Sequence, residues 1–152
     1  MPEVFAFFSA PENLQRLTPA FLNFSITTPL PIAMAVGTQI DYALSLWGLP
    51  VRWKTRIDRY EPGVLFSDVA LRSPYKSWHH LHVFKATAGG TQMDDIVDYE
   101  LPLGPLGAIA HVALVKRTLD TIFDYRAQAV QRWCDETRNG FNVPSEPERQ
   151  AI

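Results

Sequence analysis

The sequence predicts an α+β domain: a curved antiparallel β-sheet wrapped around one long C-terminal helix, with two short helices at the N-terminus. Three observations predict it. Six segments between residues 21 and 101 alternate apolar and polar side chains, the period of a half-buried strand. Turn-forming pairs separate most of them, Trp47-Gly48, Pro62-Gly63, Ser73-Pro74 and Gly89-Gly90, which suits hairpins in a meander. After Leu101 the pattern changes to the helical period, because LGPLG supplies a break and roughly thirty residues then follow without proline or glycine.

Taken in order, Val4 to Phe8 is a short apolar helical run, and Ser9 is placed to cap a second helix with Pro11 in its first turn and Glu12 behind it. Thr18-Pro19 ends that helix, because the residue before proline avoids the helical region. The strand segments are FLNFSITT, GTQIDYALSLW, VRWKTRIDRYE, VLFSDVALR, SWHHLHVFKATA and TQMDDIVDYEL. LGPLG then breaks the chain, and one helix is expected from Ala108 to Asn139, stopped by Gly140. Its apolar stripe includes Val112, Val115, Leu119, Ile122, Phe123, Val130 and Trp133 at spacings of three and four. The proline-rich polar tail at 141–152 is expected to stay outside a single domain of residues 1–140.

Composition narrows the function. In 152 residues, 47% are apolar and 20% charged, as in globular domains and unlike disordered chains. A net charge of −2 without a basic stripe argues against nucleic-acid binding. The single cysteine, Cys134, excludes an intrachain disulfide and a cysteine-based zinc site and fits a reducing cytoplasm. The N-terminus lacks a signal-peptide pattern and no apolar run has transmembrane length, so a cytoplasmic protein without a membrane span is expected. GxSxG, HExxH and CxxC motifs are absent, and the glycines at 89–90 and 104–107 are turn chemistry, not a phosphate loop.

The turns fix which residues face one another. A two-residue loop at Gly89-Gly90 sets His80 opposite Tyr99 and His82 opposite Val97. A turn centred on Pro74 sets Asp68 opposite His80, a two-residue Pro62-Gly63 loop sets Ile57 opposite Asp68, and a tight Trp47-Gly48 turn sets Thr38 opposite Ile57. One face then carries Ile40, Tyr42, Leu44, Trp53, Thr55 and Ile57, together with Phe66, Trp78, Phe84, Met93, Val97, Tyr99 and Leu101. The opposite face carries Gln39, Asp41, Arg52, Lys54, Arg56, Asp58, Lys85, Asp94, Asp98 and Glu100. The aromatic face is the inner one, covered by the long helix. Val69, Leu71, Leu81, Val83 and Ile96 fall on the outer face, where they form a candidate homodimer patch.

On the inner face a polar band contains Asp68, His80, His82, Asp95 and Tyr99, with Arg59 near its rim and Arg126 on the inner side of the helix. His79 points outward. Three readings of the band compete. Asp68 orienting His80, with Tyr99 supplying a proton to a bound carbonyl, would suit cyclisation or dehydration. His80, His82 and Asp95 would make a metal site, but two histidines and a diagonal carboxylate form a loose pattern, and no metal or cofactor is expected. The preferred reading is mutual hydrogen bonding, a polar stripe in a cavity wall that orients a ligand with one polar end. Arg126 could pair with Asp95 or Asp68 or meet a ligand carboxylate, the structural ion pair being preferred, and His111 is expected to serve packing or capping.

The segments VFAFFSAPENLQRLTP, PYKSWHHLHVF, GGTQMDDIVDYELPLGPLG and LDTIFDYR, with two short helices before the sheet and one long helix after it, resemble the SRPBCC superfamily. That superfamily includes birch-pollen-allergen-like proteins, steroidogenic lipid-transfer domains and polyketide cyclases/dehydrases, and the chain is most similar to the bacterial cyclase/dehydrase-like branch. The resemblance implies the helix-grip fold and a cavity for a small hydrophobic molecule, a lipid, isoprenoid or polyketide-like compound. It implies pocket positions at Tyr42, Trp53, Thr55, Phe66, Trp78, His82 and Phe84 on the sheet. Met93, Asp95 and Val97 complete the sheet side, and Leu119, Ile122 and Arg126 face them from the helix. The family's first strand, which precedes the first helix and pairs with the last strand, has no counterpart, because Met1 lies almost at the helix start. Either the true start lies upstream, or TQMDDIVDYEL has an open edge that invites a second chain.

Overall fold

The computed structural model describes residues 2–102 and 114–140. Helix α1 spans Pro2–Phe8 and is followed by 3-10 turns at Pro11–Gln15 and Ala20–Leu22. Six strands come next: β1 Ser25–Ile26, β2 Gln39–Leu46, β3 Leu49–Glu61, β4 Leu65–Arg72, β5 Ser77–Thr87 and β6 Gly90–Glu100. They form one sheet in sequential order, antiparallel throughout, as the meander pattern predicts. Helix α2, Lys116–Gly140, packs over one face. The break at 103–107, the first turns of the expected helix with His111 and Val112, and the tail at 141–152 lie outside the described residues.

The second N-terminal helix is a 3-10 turn, and Ser9 does not cap it. Ala10 occupies the cap position without a side-chain bond, and the Ser9 hydroxyl donates back to the Ala6 carbonyl instead (3.5 Å). Proline in the first turn has no N–H to satisfy, so a side-chain cap has less to do there. The Asn13 amide donates to the Phe7 carbonyl at 2.9 Å and ties the turn to α1.

Three hairpins show how local chemistry sets the register. Trp47 and Gly48, both at positive φ (52° and 81°), make the two-residue turn expected there, and Leu46 pairs with Leu49. At the next hairpin the loop has three residues, since Glu61 pairs with Leu65, and a bulge between Ile57 and Arg59 takes the extra residue back out. Ile57 therefore still faces Asp68, and Asp68 faces His80, as the turn arithmetic requires. The last hairpin corrects that arithmetic. Gly90, at φ 148°, takes a backbone conformation open to glycine and pairs directly with Thr87, so the loop is Ala88-Gly89. The register moves by two residues: His80 faces Val97, His82 faces Asp95, and Tyr99 faces Trp78.

Phe5 on α1 packs against Phe66 and Phe84 at centroid distances of 6.1 and 5.2 Å, and Val4, Phe8, Met34, Tyr60 and Met93 surround them. Phe7 stacks on Trp133 of α2 at 4.2 Å. At the other end of α2 the Trp47 indole donates to Thr118 Oγ1 at 3.0 Å. Between these two anchors the space under the helix is only partly filled. The outer face carries exposed cations such as Arg52 and Arg56, surface pairs Lys54–Asp41 and Lys85–Asp94 (each 3.1 Å), and the apolar group of Val69, Leu71, Leu81, Val83 and Ile96. Among the described residues β6 has a neighbour on one side only.

Candidate functional site

A cavity of about 190 Å³ lies between the concave face of the sheet and the helices. Alternate residues of β2 and β3 supply Ile40, Tyr42, Leu44, Trp53, Thr55 and Ile57, and β4 and β5 supply Phe66, Asp68, Trp78, His80 and His82. Ile122 and Arg126 of α2 roof it. The period of two places all the strand residues on one face. The Tyr42 and Thr55 hydroxyls lie 3.2 Å apart and satisfy each other on an otherwise apolar wall.

The polar band is a connected cluster. His80 Nε2 is hydrogen-bonded to Asp95 Oδ1, and Arg126 donates to Asp95 Oδ2 at 2.9 Å. His80 Nδ1 faces Asp68 Oδ1 at 3.9 Å. The His82 ring lies 4.1 Å from the His80 ring, and its Nδ1, 3.4 Å from Asp95 Oδ1, has no hydrogen-bond partner among the described residues. The Arg126 Nε is likewise unpartnered there. Both rings are nearly enclosed, with 8% of His80 and 6% of His82 exposed.

Burial and charge act differently on the members. Burial pushes the Asp68 carboxyl up to about 6, outweighing the nearby His80 and Arg126. Burial also opposes ionisation of Asp95, but the His80 hydrogen bond and the Arg126 guanidinium overcome it and hold that carboxyl well below the usual range. Burial, then His80, keep the His82 imidazole far below its ordinary value, so it is neutral near pH 7. The wall thus combines a neutral imidazole, an ion pair closed on itself, and a carboxyl group turned toward the cavity.

The structure brings together most of the residues that sequence reasoning placed here, and moves several away. Tyr42, Trp53, Thr55, Phe66, Trp78, His82, Ile122 and Arg126 line the cavity, as do His80 and Asp68. Asp95 stands behind His80 and Arg126 instead of on the lining. Tyr99, Val97 and Leu119 line a separate shallow depression beside Phe123, because the register shift carries Tyr99 to the Trp78 end of the strand, where its ring meets Tyr75. Phe84 (3% exposed) and Met93 belong to the Phe5 cluster, which fills that end of the sheet. Arg59 pairs with Glu61 on the surface at 3.0 Å, displaced by the bulge beside it. His79 approaches Asp58 on the outer face at 3.6 Å.

Sequence reasoning missed the N-terminal wall. Phe8, Pro11, Leu14, Leu17, Thr18 and Leu22 close the cavity from the helical turns, and Phe24 and Met34 add to it. The spacing of three from Pro11 to Leu14 carried part of that signal, since it puts both on one side of a 3-10 turn, and Leu17 follows just beyond that turn.

No protein-family model matches the chain, and no curated protein matches it in sequence. Solved structures do match. TTHA0849 from Thermus thermophilus aligns over 92% of this chain and 90% of its own at 12% identity, with a TM-score of 0.60. Ms6760 from Mycobacterium smegmatis aligns over 90% and 84% at 13% identity, TM-score 0.64. Ara h 8.0201 aligns over 86% of this chain and 91% of its own at 17% identity, TM-score 0.53. No helix among the described residues is long and apolar enough to cross a membrane. The meander, the covering α2 and these alignments together show that the chain has the helix-grip α+β fold.

Proposed function

We propose that the protein binds a small hydrophobic ligand, a lipid, isoprenoid or polyketide-like aromatic, between the sheet and α2. The observation that carries this reading is a mostly apolar cavity in which the ionisable groups Asp68, His80, His82 and Arg126 cluster together, the form of a site that takes an apolar body and orients one polar end. Its volume of about 190 Å³ is below the roughly 300–1,000 Å³ of sites for drug-sized ligands, which favours a compact ligand or a small outward movement of α2. Native mass spectrometry of the protein as purified tests the reading. An organic adduct that is released on denaturation is expected. A bare protein that also fails to take up an apolar fluorescent probe counts against it.

A cyclase- or dehydratase-type activity in the same cavity is the second reading, favoured by the position of His80 between Asp95 and Asp68. Asp95 holds the ring, leaving Nδ1 toward Asp68 and the cavity, an arrangement suited to moving a proton on a bound carbonyl compound. Tyr99 has no part in it, because it does not line the cavity. Turnover of a polyketide-type substrate that is lost in His80→Gln while binding is retained would support this reading. Unchanged turnover would remove it.

We also propose a homodimer in a cytoplasmic setting. Leu71 (46% exposed) and Ile96 (44%) on the outer face, together with the free edge of β6 among the described residues, support the pairing. A concentration-independent monomer mass in light scattering would overturn it.

A further inference from the structure

The hydrogen bonds within the cluster leave His82 Nδ1 and Arg126 Nε without partners, and Asp68 without a hydrogen bond, among the described residues. His82 is 6% exposed, yet its Nδ1 has no partner among the described residues, and the nearby Asp95 is already committed to His80 through one oxygen and to Arg126 through the other. Asp68 lies on the cavity side and faces His80 Nδ1 only at 3.9 Å, beyond hydrogen-bond length. A buried imidazole nitrogen left in this way is costly unless something outside the chain engages it, and the Asp68 carboxylate lies nearby with no hydrogen bond of its own among the described residues.

One donor atom from each of Asp68, His80 and His82 lies within 4.8 Å of the other two. We propose that these three residues bind a divalent transition-metal ion on the cavity wall. The donor set, two imidazoles and one carboxylate, suits zinc, ferrous iron, cobalt or nickel better than magnesium or calcium, which prefer oxygen. Asp95 is the supporting group. By accepting from His80 Nε2 it fixes the tautomer that leaves Nδ1 as a lone pair toward Asp68, the arrangement in which a carboxylate orients a metal-binding histidine. Arg126 neutralises Asp95, so Asp68 is left as the carboxylate that offsets the charge of the cation. Three protein donors leave coordination positions open toward the cavity, where an oxygen at the polar end of a bound ligand can fill them. The site therefore goes beyond hydrophobic binding and supplies a Lewis-acidic point in an apolar space.

Protein stripped with a chelator is titrated with Zn²⁺ by calorimetry and with Co²⁺ by visible absorption. One ion per chain is expected, with the Co²⁺ spectrum showing nitrogen coordination. Asp68→Asn and His82→Ala are each expected to weaken affinity by about 100-fold, and Asp95→Asn, acting through His80, by about tenfold. His79→Ala, on the outer face, is expected to change nothing. Less than one ion per wild-type chain overturns the proposal, and so does equal affinity in Asp68→Asn and His82→Ala. An apolar fluorescent probe read in parallel separates the two ideas. Probe binding without metal binding removes the ion and leaves the ligand site, whereas metal binding without probe binding does the reverse.

Discussion

Asp95 on β6 holds Arg126 on α2 at 2.9 Å while its other oxygen bonds His80 on β5. This carboxylate joins the covering helix to the sheet at the cavity wall, with 17% of the Asp95 side chain and 12% of the Arg126 side chain exposed. A pair so enclosed is weak evidence for net stability, yet removing one member strands the other's charge.

Asp95→Leu is therefore expected to destabilise the protein by about 3–5 kcal/mol in urea unfolding. The double variant Asp95→Leu/Arg126→Met is expected to recover much of that loss, since no charge is then left alone. Equal midpoints for the single variant and the wild type would show that the pair does not hold the helix.

The stack of Phe7 on Trp133, 4.2 Å apart with an interplanar angle of 20°, docks α1 on α2. A double-mutant cycle with Phe7→Leu and Trp133→Leu is expected to give a coupling energy of about 0.5–1.5 kcal/mol. A coupling near zero would mean that the two helices hold their positions independently.

Phe84 and Ile40 separate core from cavity. Phe84→Ala should cost about 3–5 kcal/mol of stability, because Phe84 is 3% exposed within the Phe5 cluster, and should leave apolar-probe affinity nearly unchanged. Ile40→Trp, projecting into the cavity, is expected to abolish probe binding while the circular dichroism spectrum stays native. Probe binding that survives Ile40→Trp would place the ligand elsewhere.

Burial pushes the Tyr75 phenol up to about 12 from its ordinary value of 10.0, with Tyr99 adding to the shift. Above pH 10 the unfolded chain loses this proton and the folded chain keeps it, so the native state binds more protons and stability falls as pH rises from about 10 to about 12. Tyr75→Phe is expected to flatten that part of the pH–stability curve. A slope unchanged by the substitution would assign it to other groups.

Strand parity, hairpin order and the long helix were legible in the sequence because each follows from local periodicity. A strand's side chains alternate whatever it pairs with, so a two-residue register error leaves every residue on its predicted face, which is why Asp68, His80 and His82 came out on one wall. Which residues lie beside them was not legible. Gly90 enters β6 as a paired residue instead of serving in the loop, and that choice puts Val97 opposite His80 in place of Tyr99. The bulge at Asp58 and the packing of Phe84 under α1 depend on contacts between segments far apart in the chain, as does the closure of the cavity by Leu14 and Leu17. Period and turn chemistry determined the faces. The tertiary structure decided the neighbours, because distances across a sheet depend on loop closure and on how two helices share the space above it.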